Sequence, residues 1–209
     1  MIDAVAFDLD GVLVQSEEVW DEARRDLVRE TGGEWTEAAT REMMGMSSLE
    51  WSRYLHDRLG VSLAPEEINA RVVRAVQERY RSHLPWIPGA REAVRRIAPR
   101  WPLALATSSN AEIIDLVLDA GALRGDFQAT VSSEEVAAGK PAPDVYLEAA
   151  RRLGVRPDRC AAAELGTAIT RIRAARARGR RCRARLDRRA HRRDGRPPLS
   201  RASPVGLSA

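Results

Sequence analysis

Two aspartates one residue apart, in Phe7-Asp8-Leu9-Asp10-Gly11-Val12, stand at the end of the apolar run Ala4-Val5-Ala6-Phe7. A carboxylate at that point can attack phosphorus and form an aspartyl-phosphate. A second carboxylate beside it can act first as general acid and then as general base for water. Lys140 is the cation such a pair calls for. It is the sole lysine among 34 Lys and Arg residues, in the stretch Gly139-Lys140-Pro141-Ala142-Pro143-Asp144. Arginine is a wide planar fork, whereas lysine is a compact point charge on a slender stem. A tight cleft that seats one small cation between anions therefore refuses arginine. Thr107-Ser108-Ser109-Asn110 offers hydroxyls and free N–H groups at an expected helix start, a ready anion site. Glu164 brings the oxygen ligand that a hard cation such as Mg²⁺ prefers. Each feature alone has a plainer reading: a strand-ending loop, a helix cap, an exposed lysine. Together they suggest an aspartate nucleophile, a metal and a balancing lysine, which is equipment for phosphoryl transfer.

The elements that must position these groups follow from the hydrophobic pattern. Short apolar runs at 4–7, 103–106, 129–131 and 160–163 read as buried strands. Between 16 and 85 the pattern changes to amphipathic helices over 17–31, 37–44, 48–59 and 65–82, with Trp20, Leu27, Met43, Trp51, Leu55 and Val72 on their apolar faces. Further helices are expected over 89–98, 111–120 and 143–153. Strands alternating with helices predict an α/β fold with a parallel sheet, interrupted after its first strand by a helical module. In such sheets the chemistry gathers at the carboxyl ends of the strands. Asp8, Thr107 and Glu164 each follow a predicted strand, so they should meet in one crevice.

At 209 residues the chain holds one large domain or a core with an insertion. No apolar run approaches the ~18 residues of a membrane span. Met1-Ile2-Asp3-Ala4-Val5 has neither a basic segment nor a cleavable apolar one, so a cytoplasmic enzyme is the expectation. Cys160 and Cys182 form no ligand spacing and no disulfide framework, and His56, His83 and His191 are scattered. The net charge of +4 divides into −8 over residues 1–170 and +12 over 171–209, so the basic character belongs to the tail. That tail carries no aromatic residues, so nucleic acid is not an expected partner.

Phe-Asp-Leu-Asp-Gly-Val-Leu from Phe7, Leu-Ala-Thr-Ser-Ser-Asn from Leu105 and Gly-Lys-Pro-Ala-Pro-Asp-Val-Tyr from Gly139 resemble three successive motifs of the haloacid dehalogenase superfamily. The likeness covers about 2–164 and is strongest to the branch with β-phosphoglucomutase and sugar-phosphate phosphatases. It implies a Rossmann-like core over 1–15 and 86–179 and a helical cap over 16–85. It implies Asp8 as nucleophile and Asp10 as acid/base, with Thr107, Ser108 and Lys140 on phosphate. Mg²⁺ would lie among Asp8, the Asp10 carbonyl and Glu164. Small phosphorylated metabolites would be the substrates. A monomer is the expectation, although the sequence itself does not name the oligomeric state.

Departures narrow the branch. Asp10 argues against true dehalogenases, and the cap has no lysine for phosphonate cleavage. Mutases carry an arginine after a Gly-x-Ser turn, but Gly45-Met46-Ser47 is followed here by Ser48. Trp20 stands where mutases favour histidine, and Ser16-Glu17-x-x-Trp20 looks more like sugar- or hexitol-phosphate phosphatases. Ser47, Ser48 and Trp20 are thus candidate substrate contacts, with Trp20 equally readable as cap core. A phosphatase, a phosphosugar mutase and an impaired remnant remain as alternatives. The fourth motif breaks: Glu164-Leu165-Gly166 lacks the expected second acid, and the sequence after 180 has no apolar alternation. A shifted reading frame would explain this, leaving an incomplete sheet edge and a disordered Arg/Pro-rich tail over 180–209.

Overall fold

Four short runs of small and β-branched residues build the sheet that carries the site. The structure, a computed structural model, describes residues 1–44, 46–164 and the backbone of 170–171. In chain order the elements are β1 (Ala4–Phe7), α1 (Glu17–Glu30), α2 (Ala39–Met43), α3 (Ser48–Leu59), α4 (Pro65–Ser82), α5 (Ala90–Ile97), β2 (Leu103–Thr107), α6 (Ala111–Ala120), β3 (Ala129–Ser132), α7 (Asp144–Arg152), β4 (Cys160–Ala163) and β5 (Thr170–Arg171). The sheet order is β3-β2-β1-β4-β5, with the first four strands parallel and β5 antiparallel to β4. The α/β fold with a parallel sheet read from the sequence is therefore present. The two-residue β5 was not anticipated, since two residues are too few to show an alternation. The expected disordered tail over 180–209 lies outside the described residues, as do 165–169 and 172–179, so the expected incomplete sheet edge lies largely outside them too.

The period of two along each strand divides the apolar residues between the sheet faces. Ala4, Ala6, Ala104, Ala106, Cys160 and Ala162 meet Val145, Tyr146, Ala149 and Ala150 of α7. Their small side chains let that helix lie close to the sheet. On the other face Val5, Phe7, Leu103 and Leu105 join a cluster that continues through α5 and α6. The same cluster runs on into Leu27, Trp51, Leu55, Ile68 and Val72 of the inserted helices. Burying each such side chain contributes about 1.5–3 kcal/mol relative to exposure.

The inserted helices have clear local causes. Ser47 and Glu50 form a capping box at the start of α3, and Gly60, at φ 72°, ends it in the left-handed region. Pro65 takes a first-turn position of α4, with Glu66 and Glu67 beside the positive helix end. α4 packs on both α1 and α3 and reaches α6, which ties the insertion to the sheet-bearing part.

Candidate active site

The register of the sheet decides which polar residues meet. Phe7 pairs with Leu105 on one side and Ala163 on the other, so Asp8 leaves the sheet between the ends of β2 and β4. The Asp8 N–H donates to the Ala163 carbonyl at 2.9 Å, which brings Glu164 alongside. Gly11, at φ 71°, turns the chain back, and its N–H donates to the Val14 carbonyl at 2.8 Å. That tight return aims the Asp10 side chain at β2.

Lys140 lies 2.7 Å from Asp8 Oδ2 and 3.3 Å from Glu164 Oε1. The second Asp8 oxygen accepts the Leu9 N–H at 2.8 Å. Burial pushes the Asp8 carboxyl up to about 6 and Asp10 adds repulsion, while Lys140 and the Leu9 N–H pull the other way. The Lys140 ammonium also rests over the Tyr146 ring, 4.9 Å from its centroid, and the Tyr146 hydroxyl donates to Glu164 Oε1. Burial, followed by the charges of Asp8 and Glu164, holds that phenol above its ordinary value.

Asp10 is fixed from the other side. Its Oδ2 accepts the Thr107 hydroxyl at 3.0 Å and the Ser109 hydroxyl at 2.7 Å. Its Oδ1 is buried with no hydrogen-bond partner among the described residues. One oxygen is thus anchored and the other is not. Thr107 closes β2 rather than following it, and its hydroxyl oxygen accepts the Ser109 N–H at 3.1 Å. The Ser108 hydroxyl meets that of Ser133 at 3.2 Å.

The structure therefore brings together Asp8, Asp10, Thr107, Lys140 and Glu164, with Ser108 at the adjoining Ser133 turn. The candidates from the inserted helices are placed differently. Trp20 is only 7% exposed and meets Trp51 edge-on at 6.1 Å, so of its two readings the packing role is the one the geometry favours. The Ser47 hydroxyl donates to Glu50 at 2.7 Å within the capping box. The Ser48 hydroxyl donates to Glu134 Oε1 at 2.5 Å, and the Asn110 amide donates to the same oxygen at 2.8 Å. α3 is thereby bonded to the sheet-bearing part beside the site. Ser109, Tyr146 and Glu134 were missed as participants. The first two lie inside the motifs already singled out, so their segments were legible although their partners were not.

Among the described residues no group of three His, Cys, Asp or Glu side chains gathers as a metal site. Asp8 and Glu164 nevertheless converge on one ammonium, so a single small cation can lie within reach of both. Both donors are carboxylate oxygens, which suit a hard cation.

Residues 2–164 match the model of the haloacid dehalogenase-like hydrolases. The chain belongs to that family. It is 32% identical over 168 residues to hexitol phosphatase B of Escherichia coli K12, covering 77% of this chain and 74% of that one. It is 33% identical over 162 residues to the phosphorylated carbohydrates phosphatase of Thermotoga maritima, covering 76% and 74%. Two solved structures share the fold. CbbY from Rhodobacter sphaeroides, in complex with phosphate, has a TM-score of 0.69 at 24% identity, with 78% and 77% of the two chains covered. β-Phosphoglucomutase from Clostridium difficile has a TM-score of 0.68 at 22% identity, with 78% and 76% covered. No described helix is long and apolar enough to cross a membrane.

Proposed function

We propose that this hydrolase cleaves small phosphate monoesters, sugar phosphates first among them, through an aspartyl-phosphate on Asp8. The observation that carries the reading is the pairing of Asp8 with Lys140 at 2.7 Å beside an Asp10 held by two hydroxyls. The Asp8 carboxylate attacks phosphorus while Lys140 offsets the gathering negative charge. The buried Asp10 oxygen gives its proton to the leaving sugar oxygen. In the second half it takes a proton from the water that opens the acyl phosphate. Thr107 and Ser109 keep that carboxyl aimed through both halves, and Ser108 adds a hydroxyl for the phosphoryl oxygens.

The cation we assign is Mg²⁺, held by Asp8, Glu164 and the Asp10 carbonyl. When bound it supplies positive charge against the phosphoryl oxygens. Leu165 provides no second acid after Glu164, so this affinity should be weak for such a site. Hydrolysis is favoured over intramolecular transfer because Ser48, not an arginine, follows Ser47, and its hydroxyl is committed to Glu134. In this reading residues 16–85 form a cap over a core of 1–15 and 86–179. The chain works as a cytoplasmic monomer on small phosphorylated metabolites. The names of the two phosphatases quoted above support this substrate class.

The test is hydrolysis of a generic aryl phosphate with Mg²⁺ by the wild-type chain and by Asp8→Asn. Asparagine keeps the shape and cannot attack phosphorus, so activity should fall at least roughly a thousand-fold. Near-normal turnover in the variant would remove the aspartyl-phosphate.

A further inference from the structure

The turn that ends β3 grips the segment that anchors Asp10. Thr107 and Ser109 both donate to Asp10 Oδ2, at 3.0 and 2.7 Å. Three consecutive residues bond in turn to the segment that carries them. The Ser133 hydroxyl donates to the Thr107 carbonyl at 3.3 Å, and the Ser132 hydroxyl to the Ser109 carbonyl at 2.8 Å. Glu134 Oε1 accepts the Asn110 amide at 2.8 Å. An asparagine at a helix start ordinarily accepts an N–H of its own first turn. Asn110 stands at the start of α6 and makes no such bond. Its amide reaches Glu134 instead, and Asn69 Oδ1 of α4 at 3.3 Å. The side chain thus serves the position of the segment rather than its own helix. Glu134 is held in turn: its N–H donates to Ser132 Oγ at 3.2 Å, and its Oε1 also accepts the Ser48 hydroxyl of α3. Asn110 and Ser48 are each only 3% exposed. Turning the carboxylate away would leave two buried donors unpaired, which is costly.

We propose that Glu134 is a positioning residue for the general acid. It holds Asn110 and so keeps the adjoining Ser109 on the anchored oxygen of Asp10, while Ser48 braces Glu134 from α3. This rests on Asp10 acting as the acid in the reaction proposed above.

The measurement is kcat/KM of the full chain for p-nitrophenyl phosphate and for phenyl phosphate. The rings are alike, but nitrophenolate departs with little help from an acid and phenolate needs more. A misaimed Asp10 should therefore slow phenyl phosphate selectively, whereas a loss of folded protein slows both esters equally. Asp10→Asn sets the scale, with phenyl phosphate losing at least about ten-fold more than the nitro ester. Glu134→Ala should give a bias of the same kind, about three- to ten-fold. Glu134→Gln keeps an oxygen for both donors and should stay within about two-fold of wild type. Ser48→Ala should show a smaller bias and add nothing on the Glu134→Ala background, since both act through one carboxylate. Equal losses on the two esters in Glu134→Ala, with Asp10→Asn still biased, would overturn the positioning role alone. A bias in Glu134→Gln as large as in Glu134→Ala would overturn the bonding that carries it. An unbiased Ser48→Ala would overturn the brace from α3. If Asp10→Asn shows no bias, the acid role of Asp10 falls and this proposal with it. Aspartyl-phosphate chemistry would still be decided by Asp8→Asn.

Discussion

Lys140 and Arg24 are both sheltered cations lying against aromatic rings, and they illustrate two ways of holding a charge. Lys140 rests over Tyr146 and is matched by Asp8 and Glu164 at 2.7 and 3.3 Å. Arg24 lies against both Trp20 and Trp51, 5.2 and 4.9 Å from their centroids. Its Nε and the Lys140 ammonium are alike buried without a well-formed hydrogen bond among the described residues, but Lys140 has carboxylates at ion-pair distance. Burial lowers the Arg24 guanidinium to about 10, against the pull of Asp21 and Asp10. Lysine is the strongly hydrated point charge and needs anions once water is removed. Arginine is weakly hydrated and planar, so it can be stacked instead. The sheet-bearing part thus pairs its cation with two carboxylates, where the proposed reaction would need charge balanced, while the inserted helices use theirs as packing with a charge attached.

Breaking the Lys140 half should have the largest effect. In Lys140→Arg the charge stays but the planar fork cannot occupy the point between Asp8 and Glu164. Turnover of an aryl phosphate should fall about a hundred-fold, the scale of removing one preorganised electrostatic contact. Full activity in this variant would make Lys140 as replaceable as any surface cation and end the contrast.

A smaller effect tests the anion that Lys140 serves. The folded value of Asp8, about 6, lies above its ordinary 3.8, so the folded chain holds that proton more tightly than the unfolded chain. Its contribution to stability is complete below pH ~4 and is lost as pH rises through about 6. Two pH units correspond to about 3 kcal/mol as an upper figure. Metal-free Asp8→Asn lacks this loss. Its stability advantage over wild type, measured by urea unfolding, should therefore grow between pH 4 and 7 to roughly 1–3 kcal/mol. Carboxylates held low by arginine, such as Glu148 at about 2, act below this window and cancel in the difference. A flat difference across that range would show that Lys140 already compensates the burial of Asp8 in full.

What the sequence disclosed of these two regions differs for a physical reason. Seven helices and four strands were legible because each repeats a local period: Leu27, Trp51 and Val72 mark faces within single helices, and Ala4 to Phe7 a single strand. Asp8, Asp10, Thr107, Lys140 and Glu164 were singled out together because each lies in a short motif at a strand end or in the loop before a helix. Their bonding was not. Thr107 and Ser109 reach Asp10 across 97 and 99 residues of sequence, and Ser48 reaches Glu134 across 86. No local pattern encodes such distances. The stacking of Arg24 was hidden likewise, since one of its two tryptophans, Trp51, belongs to another helix. Trp20 stood as a possible substrate contact through the likeness of Ser16-Glu17-x-x-Trp20 to sugar- and hexitol-phosphate phosphatases, and equally as cap core; its packing partner Trp51 lies on another helix, which no local pattern encodes.

The smallest effect belongs to Arg24, and its smallness is the point. A guanidinium with a buried, unpartnered Nε has lost water without a full replacement, so an apolar side chain of similar length should serve as well. Arg24→Met surrenders two cation–π contacts, each worth about 0.5–2 kcal/mol, and gains sulfur–aromatic contacts together with relief from desolvation. Those contributions oppose one another, so unfolding in urea should show a stability within about 1 kcal/mol of wild type, or higher. Hydrolysis of a sugar phosphate should change by less than about three-fold, which is under 1 kcal/mol in the barrier. A ten-fold fall in kcat/KM for sugar phosphates, with aryl phosphate less affected, would mean that Arg24 touches the part of the substrate an aryl ester lacks. A loss of several kcal/mol in stability would mean instead that Asp10 and Asp21 pair with Arg24 strongly enough to offset its burial. Either outcome would make both cations matched charges, differing only in what they are matched to.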